Sequence, residues 1–237
     1  MKYIVSDKYK FIYFVNQKVA CSSIKEALLP FFDIDPGPYS FINLKGVHRL
    51  RPHQAFNESE FQITKKNFLQ SLNEGQFEDY FKFGFARNPW DRLLSCYTQK
   101  IGKRRKGEKG GAPLQQPKNN PNAFRMDMSF DEFVETVHGI PDSEADPHFQ
   151  SQHKIFFKRK TQGLLADFIG SFENLSSDFE YSMKKIGLDD KAYLPHVLKS
   201  RNSKKYPYIN FYNETTKRLV AERFSADIKA FGYIFDE

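Results

Sequence analysis

An α/β fold with a central, mainly parallel sheet flanked by helices is what this chain predicts, on two observations. A strand, loop and helix follow one another at least three times along it, and that alternation is the mark of a parallel sheet covered by helices. The second is size: 237 residues at 40% apolar composition suit one large domain, spanning 1–237, with an ordinary buried core. With 25 Phe and 12 Tyr against a single Trp, that core is expected to be filled by flat rings.

The first unit opens at Phe11-Ile12-Tyr13-Phe14-Val15, a continuous apolar run of the kind a strand buried on both faces shows. It ends at Asn16-Gln17. Ser23-Ile24-Lys25-Glu26 has the spacing of a capping box, and the helix it begins is expected to stop near Pro30. The second unit runs Phe81-Lys82-Phe83-Gly84-Phe85-Ala86 into Asn88-Pro89, a good N-cap followed by a residue suited to the first helical position. Leu93, Leu94, Tyr97 and Ile101 then recur at helical spacing. A third copy starts at Ala166–Gly170, with Leu175, Phe179, Met183 and Ile186 on its helix and Gly187 closing it. A final amphipathic helix is expected over 214–230, with Leu219, Val220, Phe224 and Ile228 on one stripe. From 102 to 128 the composition turns to Gly, Pro, Asn, Gln and basic residues, among them Lys103, Arg104, Arg105, Lys106 and Lys109. The expectation there is a mobile basic loop, not a core element.

The formal charge of +7 favours anionic partners without choosing among nucleotide, glycan, nucleic acid and membrane surface. Only two cysteines occur, Cys21 and Cys96, so a disulfide framework is not expected and a reducing compartment is. Charges interrupt the first eight residues, and no apolar stretch is long enough to span a bilayer. The expectation is a cytoplasmic protein with no membrane partner.

Two segments carry the chemistry. Lys18-Val19-Ala20-Cys21-Ser22-Ser23 lies between a buried strand and a helix start, where outward N–H groups and the helix dipole favour an anion. Small side chains at 20–23 admit phosphate oxygens to the backbone, two hydroxyls add donors and Lys18 adds charge. The segment lacks the Gly-x-x-x-x-Gly-Lys-Ser/Thr of a Walker A loop, which counts against an ordinary nucleoside-triphosphate enzyme. A capped helix beside a solvated lysine has the same spacing. Arg87 stands at the end of the second strand with Ser95 about two helical turns further on, so both can meet one phosphate. An ion pair between Arg87 and Asp91 is the alternative.

Together these segments resemble the carbohydrate sulfotransferases related to the Golgi chondroitin and dermatan enzymes. Residues 16–25, Asn-Gln-Lys-Val-Ala-Cys-Ser-Ser-Ile-Lys, are similar to their 5'-phosphosulfate loop. Residues 85–97, Phe-Ala-Arg-Asn-Pro-Trp-Asp-Arg-Leu-Leu-Ser-Cys-Tyr, are similar to their 3'-phosphate motif. Asp146-Pro147-His148-Phe149-Gln150-Ser151-Gln152 is similar to a family segment that has Trp after the His and Pro before the Gln, and the block at 167–175 and the run Phe231-Gly232-Tyr233 resemble further family segments. Gln17 and Ile24 depart from the usual Pro and aromatic. The resemblance implies a P-loop-like sulfotransferase fold that binds 3'-phosphoadenosine 5'-phosphosulfate (PAPS). Its 5'-phosphosulfate would lie on Lys18, Val19, Ala20, Cys21, Ser22, Ser23 and Ile24 and its 3'-phosphate on Arg87 and Ser95. It also implies release of adenosine 3',5'-bisphosphate (PAP), and no metal.

Transfer to a hydroxyl needs a base, and histidine titrates in the right range. His48, which lies between the motifs where related glycan sulfotransferases carry a catalytic histidine, ranks first, His148 second and His53 third. The expected acceptor is a glycan or another hydroxyl compound, and an acidic one suits the basic loop. A kinase would need a metal-binding acid and a Gly-rich loop that the sequence lacks. A nonenzymatic basic glycan-binding module stays open as the other reading. Specific nucleic-acid binding is not expected, because stacking aromatics are not interleaved with residues 103–109.

Overall fold

A computed structural model describes residues 1–42, 48–101, 113–158, 161, 163–195 and 207–235. The chain divides into two compact units, one of Met1–Asn16, Ala20–Ala86 and Ile155–Lys199, the other of Gln17–Val19, Arg87–Lys154 and Ser200–Glu237.

The first unit holds a five-stranded sheet. Its strands are β1 (Lys2–Ser6), β2 (Phe11–Phe14), β5 (Gln62–Thr64), β6 (Phe81–Ala86) and β7 (Phe168–Ser171), in the order β5-β1-β2-β6-β7. A short pair, β3 (Ser40–Ile42) and β4 (His48–Leu50), stands apart from it. In the main sheet β2 pairs with β6 and β6 with β7 in parallel, whereas β1 is antiparallel to both its neighbours. Four strands therefore run one way and β1 the other, the mainly parallel sheet that the alternation predicts. The sequence reading missed β1 because its apolar part, Tyr3-Ile4-Val5, is short and bracketed by charges; all three side chains are buried.

Rings fill this core as expected: Tyr3 stacks on Phe14 at 4.3 Å between centroids, and Phe68 meets Tyr3 edge-on at 5.0 Å. Gly84 on β6 is required by that packing, since a Cβ there would come within 2.5 Å of the Phe156 ring. The helices of this unit include α1 (Cys21–Leu28), α2 (Pro52–Asn57), α3 (Lys65–Asn73) and α7 (Leu175–Lys185). Gly187 beyond α7 takes the left-handed φ of 68° that a helix stop there calls for.

The second unit is helical, with α4 (Pro89–Lys100), α5 (Phe130–Gly139), α8 (Glu214–Arg223) and α9 (Ser225–Phe231); α6 (His153–Phe156) straddles the division. Asn88 caps α4 through the N–H of Trp90, with Pro89 at the first position, as the sequence predicts. The buried cluster joins Trp90, Leu93, Phe133, Phe149, Val220 and Phe224.

Three expectations are corrected. The Ser23–Glu26 capping box does not form: α1 starts earlier, at Cys21, and left-handed Ala20 takes the N-cap place with no side-chain cap. The single helix over 214–230 is two, because Phe224 leaves helical geometry at φ −113°, ψ 24°. That break brings the buried Asp227 carboxylate to the N–H groups of Gln152 and His153, at 2.8 and 2.9 Å. Part of the loop at 102–128 is core: Leu114, Ala123, Phe124 and Met128 are buried in the helical cluster although 113–128 forms no regular element. The basic residues from Lys103 to Lys109 lie outside the described residues.

Candidate functional site

Parallel pairing of Phe11 with Phe81 and Phe14 with Gly84 sets the carboxyl ends of β2 and β6 side by side. Ligands of open α/β sheets bind beyond such ends. The fully buried Asn16 ties the two together, its Nδ2 donating to the Phe85 carbonyl at 2.9 Å. The chain then turns sharply. Lys18 and Ala20 both adopt left-handed φ, 68° and 59°, which costs a non-glycine residue on the order of 1 kcal/mol and persists where the surroundings enforce it. The turn delivers Ala20 as the N-cap of α1, where it offers no side-chain cap to the first-turn N–H groups. Ile24 is fully buried and its N–H closes the first turn on the Ala20 carbonyl at 3.1 Å.

One face of α1 carries a polar cluster that the sequence did not disclose. His53 on α2 reaches Ser22 Oγ with Nε2 at 2.7 Å and Lys25 Nζ with Nδ1 at 3.1 Å; Cys21 Sγ is 3.7 Å from Nε2. Ser22 and Lys25 are one turn apart, which put them on one face, but nothing in the spacing pointed to a histidine 31 residues away. Lys25 is 2% exposed. Burial lowers its pKa to about 8, with Cys21 opposing the shift and Lys2 adding to it.

In the second unit Arg87 is the organising group. Its Nη1 donates to the Lys18 carbonyl at 2.9 Å, so two segments 69 residues apart meet in one hydrogen bond. Its Nε and Nη2 bind Asp91 at 2.8 and 2.7 Å, the ion pair the sequence held as an alternative. Gln152 clamps the Arg87 backbone from both sides, accepting from its N–H at 3.0 Å and donating to its carbonyl at 2.8 Å. Asp91 and Ser95 lie four residues apart on α4, hence on one face, and Ser95 is half-buried. Lys18 Nζ donates to Gln99 at 2.9 Å, one turn beyond Ser95.

Arg92 and Gln152 stand in segments that the sequence singles out, but no role for either was read from it. Arg92, 2% exposed, donates to the carbonyls of Gln17 at 3.0 Å, Gln150 at 2.8 Å and Pro147 at 3.4 Å. Its place in the same run as Arg87 was the available signal. Cys96, in that run too, has its thiol pushed up to about 12 by burial, with Lys18 and Arg92 opposing, so it stays protonated and inert.

The histidines divide. His48 falls on β4, and its side chain lies outside the described residues. His148 Nδ1 sits 2.6 Å from Asp146, which also accepts the N–H groups of His148 and Gln115 at 2.9 and 2.7 Å. Burial raises the Asp146 pKa, but these hydrogen bonds outweigh it and hold the carboxyl below its ordinary range. With Nδ1–H donated to a carboxylate, His148 Nε2 is the basic nitrogen. No cluster of three His, Cys, Asp or Glu side chains suited to a metal ion occurs among the described residues.

Comparison with known proteins decides the family. The model of the sulfotransferase family matches residues 1–234. The chain belongs to this family. Among its relatives, carbohydrate sulfotransferase 14 of Mus musculus is 28% identical over 74% of this chain and 44% of its own length. Its counterpart in Danio rerio is 27% identical over 81% and 50%. Carbohydrate sulfotransferase 12 of Xenopus laevis is 23% identical over 97% and 59%. The chain thus spans about half the length of the curated relatives it matches. No solved structure gives a significant match.

Proposed function

We propose that this sulfotransferase-family chain moves a sulfuryl group from PAPS to a hydroxyl of a carbohydrate. The observation that carries the reading is the hydrogen bond from Arg87 to the Lys18 carbonyl, which joins the segments resembling the 5'-phosphosulfate and 3'-phosphate motifs. The residues fit such a donor. The uncapped start of α1, with small side chains at Ala20, Cys21, Ser22 and Ser23, admits anionic oxygens. Within the second unit, Arg87, Ser95 and Lys18 offer charge and a hydroxyl to an anionic group. A P-loop-like, single-domain sulfotransferase architecture over both units goes with this reading.

PAPS supplies the activated sulfuryl group. The acceptor oxygen forms a bond to sulfur as the bond from sulfur to the bridging phosphate oxygen breaks, in line, and PAP departs with that electron pair. Lys18 stabilises the charge on the departing oxygen, and a histidine takes the acceptor proton. We assign that proton to His48 and read His148 as a ring fixed by Asp146 beside the acceptor. The names of the relatives given above, carbohydrate sulfotransferases 14 and 12, support a sugar hydroxyl as acceptor.

The test is a panel of glycans offered with radiolabelled sulfate donor, with His48→Ala and His148→Ala compared in turnover. His48→Ala is expected to lower kcat by about 10²–10⁴ at unchanged donor affinity. A larger loss in His148→Ala moves the base to His148, and no transfer to any glycan removes the carbohydrate reading.

A further inference from the structure

Lys25, His53 and Ser22 form a chain of polar atoms that ends at the start of α1. An ammonium only donates. With Lys25 charged, the His53 Nδ1 at 3.1 Å must therefore be the accepting nitrogen, and the ring hydrogen sits on Nε2. Nε2–H then donates to Ser22 Oγ at 2.7 Å, which leaves the serine's own hydrogen directed away from the ring. Ser22 is the second residue of a helix whose start carries no side-chain cap, the place where an anion is stabilised by the helix itself.

We propose that Lys25 and His53 are a proton-controlled positioning pair that holds the Ser22 hydroxyl as a donor to the sulfophosphate oxygens, so that loss of the Lys25 proton turns the hydroxyl inward and weakens donor binding. This rests on the sulfuryl-transfer reading above. A neutral amine carries a lone pair that accepts from Nδ1–H; Nε2 then accepts the Ser22 hydrogen, and the serine oxygen faces the anion with lone pairs only. One proton lost at Lys25 is thus relayed as a change of tautomer at His53 and a reversed hydroxyl at Ser22.

The surroundings place the switch at mildly alkaline pH. Burial brings Lys25 down to about 8. The groups facing it are Cys21 on its own helix, Lys2 on β1, and His53 and the Phe56 ring on α2, whose centroid is 5.9 Å from Nζ. The buried Tyr13 on β2 interacts with Cys21, and burial raises its pKa, so it stays protonated through this range. Among the described residues no carboxylate pairs with Lys25.

Two measurements on the whole chain test the pair. Long-range proton–nitrogen spectra of histidine-labelled protein, with His53 assigned through His53→Gln, read the tautomer from pH 7 to 9.5. The expected result is Nε2–H at pH 7 giving way to Nδ1–H, with no transition in Lys25→Met. Calorimetry with adenosine 3',5'-bisphosphate over the same range should show wild-type affinity falling about tenfold or more, the worth of one charge-assisted hydrogen bond. Ser22→Ala should be weaker at pH 7 and flat with pH. Lys25→Arg, which keeps its proton throughout, should hold the neutral-pH affinity at pH 9.5. A fixed His53 tautomer, or an affinity independent of pH while binding is clear, overturns the positioning pair alone. Absence of nucleotide binding at every pH overturns the donor reading and the pair with it.

Discussion

Both units bury a basic group beside a motif segment, and they compensate it in opposite ways. Arg87 has the Asp91 carboxylate and the Lys18 carbonyl, and Arg92 has three backbone carbonyls. Lys25 has the His53 ring and an aromatic face. A guanidinium cannot shed its proton under ordinary conditions, so its charge must be matched where it is buried. An ammonium can, so the fold tolerates it unmatched and lets its pKa drop. The arginines act as fixed struts, whereas Lys25 is a group whose state depends on pH.

The largest expected effect strikes the struts. Arg92→Ala would leave the carbonyls of Gln17, Gln150 and Pro147 without their donor in a buried place, and a loss of about 3–5 kcal/mol of stability is expected in denaturant titration. A variant that unfolds like wild type would mean that water replaces the guanidinium and that the comparison is wrong. Arg87→Ala comes next. PAP affinity should fall by about 1.5–3 kcal/mol, with AMP little affected. Equal wild-type affinity for PAP and AMP would detach Arg87 from a 3'-phosphate.

A smaller effect of opposite sign is expected at Lys25. Removing an unmatched buried charge with Lys25→Met should raise stability at pH 7 by about 1–3 kcal/mol, at the cost of donor affinity. The pH dependence follows from the same shift. Above about 8 the folded chain has released a proton that the unfolded chain keeps up to its ordinary 10.5, so the unfolded state binds more protons and stability rises across that window. Lys65, lowered to about 8 by burial, adds in the same direction. Above 10 the trend reverses, because burial raises the pKa of Tyr3 and Tyr13 and the unfolded chain loses their protons first. Thermal melts from pH 7 to 10.5 should climb and then fall, and Lys25→Met should flatten the climb. A flat wild-type profile would place Lys25 in water.

The same contrast explains what was legible in the sequence. The three strand-helix units and the Asn88-Pro89 start of α4 could be read because each depends on neighbours in the chain. The positions of Lys18 and Arg87 at a strand end and a helix start could be read from their neighbours in the chain; their hydrogen bond to one another could not. The partnership of Lys25 with His53 could not, since it requires knowing that α2 packs against α1. Nor could the role of Arg92, which comes from where three distant carbonyls happen to turn. The failed capping box at Ser23 has a local cause: the backbone reached its left-handed turn at Ala20 first. At Phe224 a long-range demand, the burial of Asp227 against Gln152 and His153, overrode a continuous helical stripe.

The start of α4 is finished by residues that are made much later. Asn88 Nδ2 donates to the Ile234 carbonyl across 146 positions, and Trp90 Nε1 to that of Lys217 across 127. A chain leaves the ribosome from its N-terminal side, at about 5–20 residues per second. The helix bearing Asp91 and Ser95 must therefore wait several seconds, by that rate, with the Trp90 indole and its N–H uncovered, while the sheet strands β1, β2 and β6 already have one another. Biosynthesis thus has a vulnerable interval between the completion of the sheet and the arrival of α8 and α9, in which Arg87 sits on an unfinished scaffold open to chaperones and to aggregation.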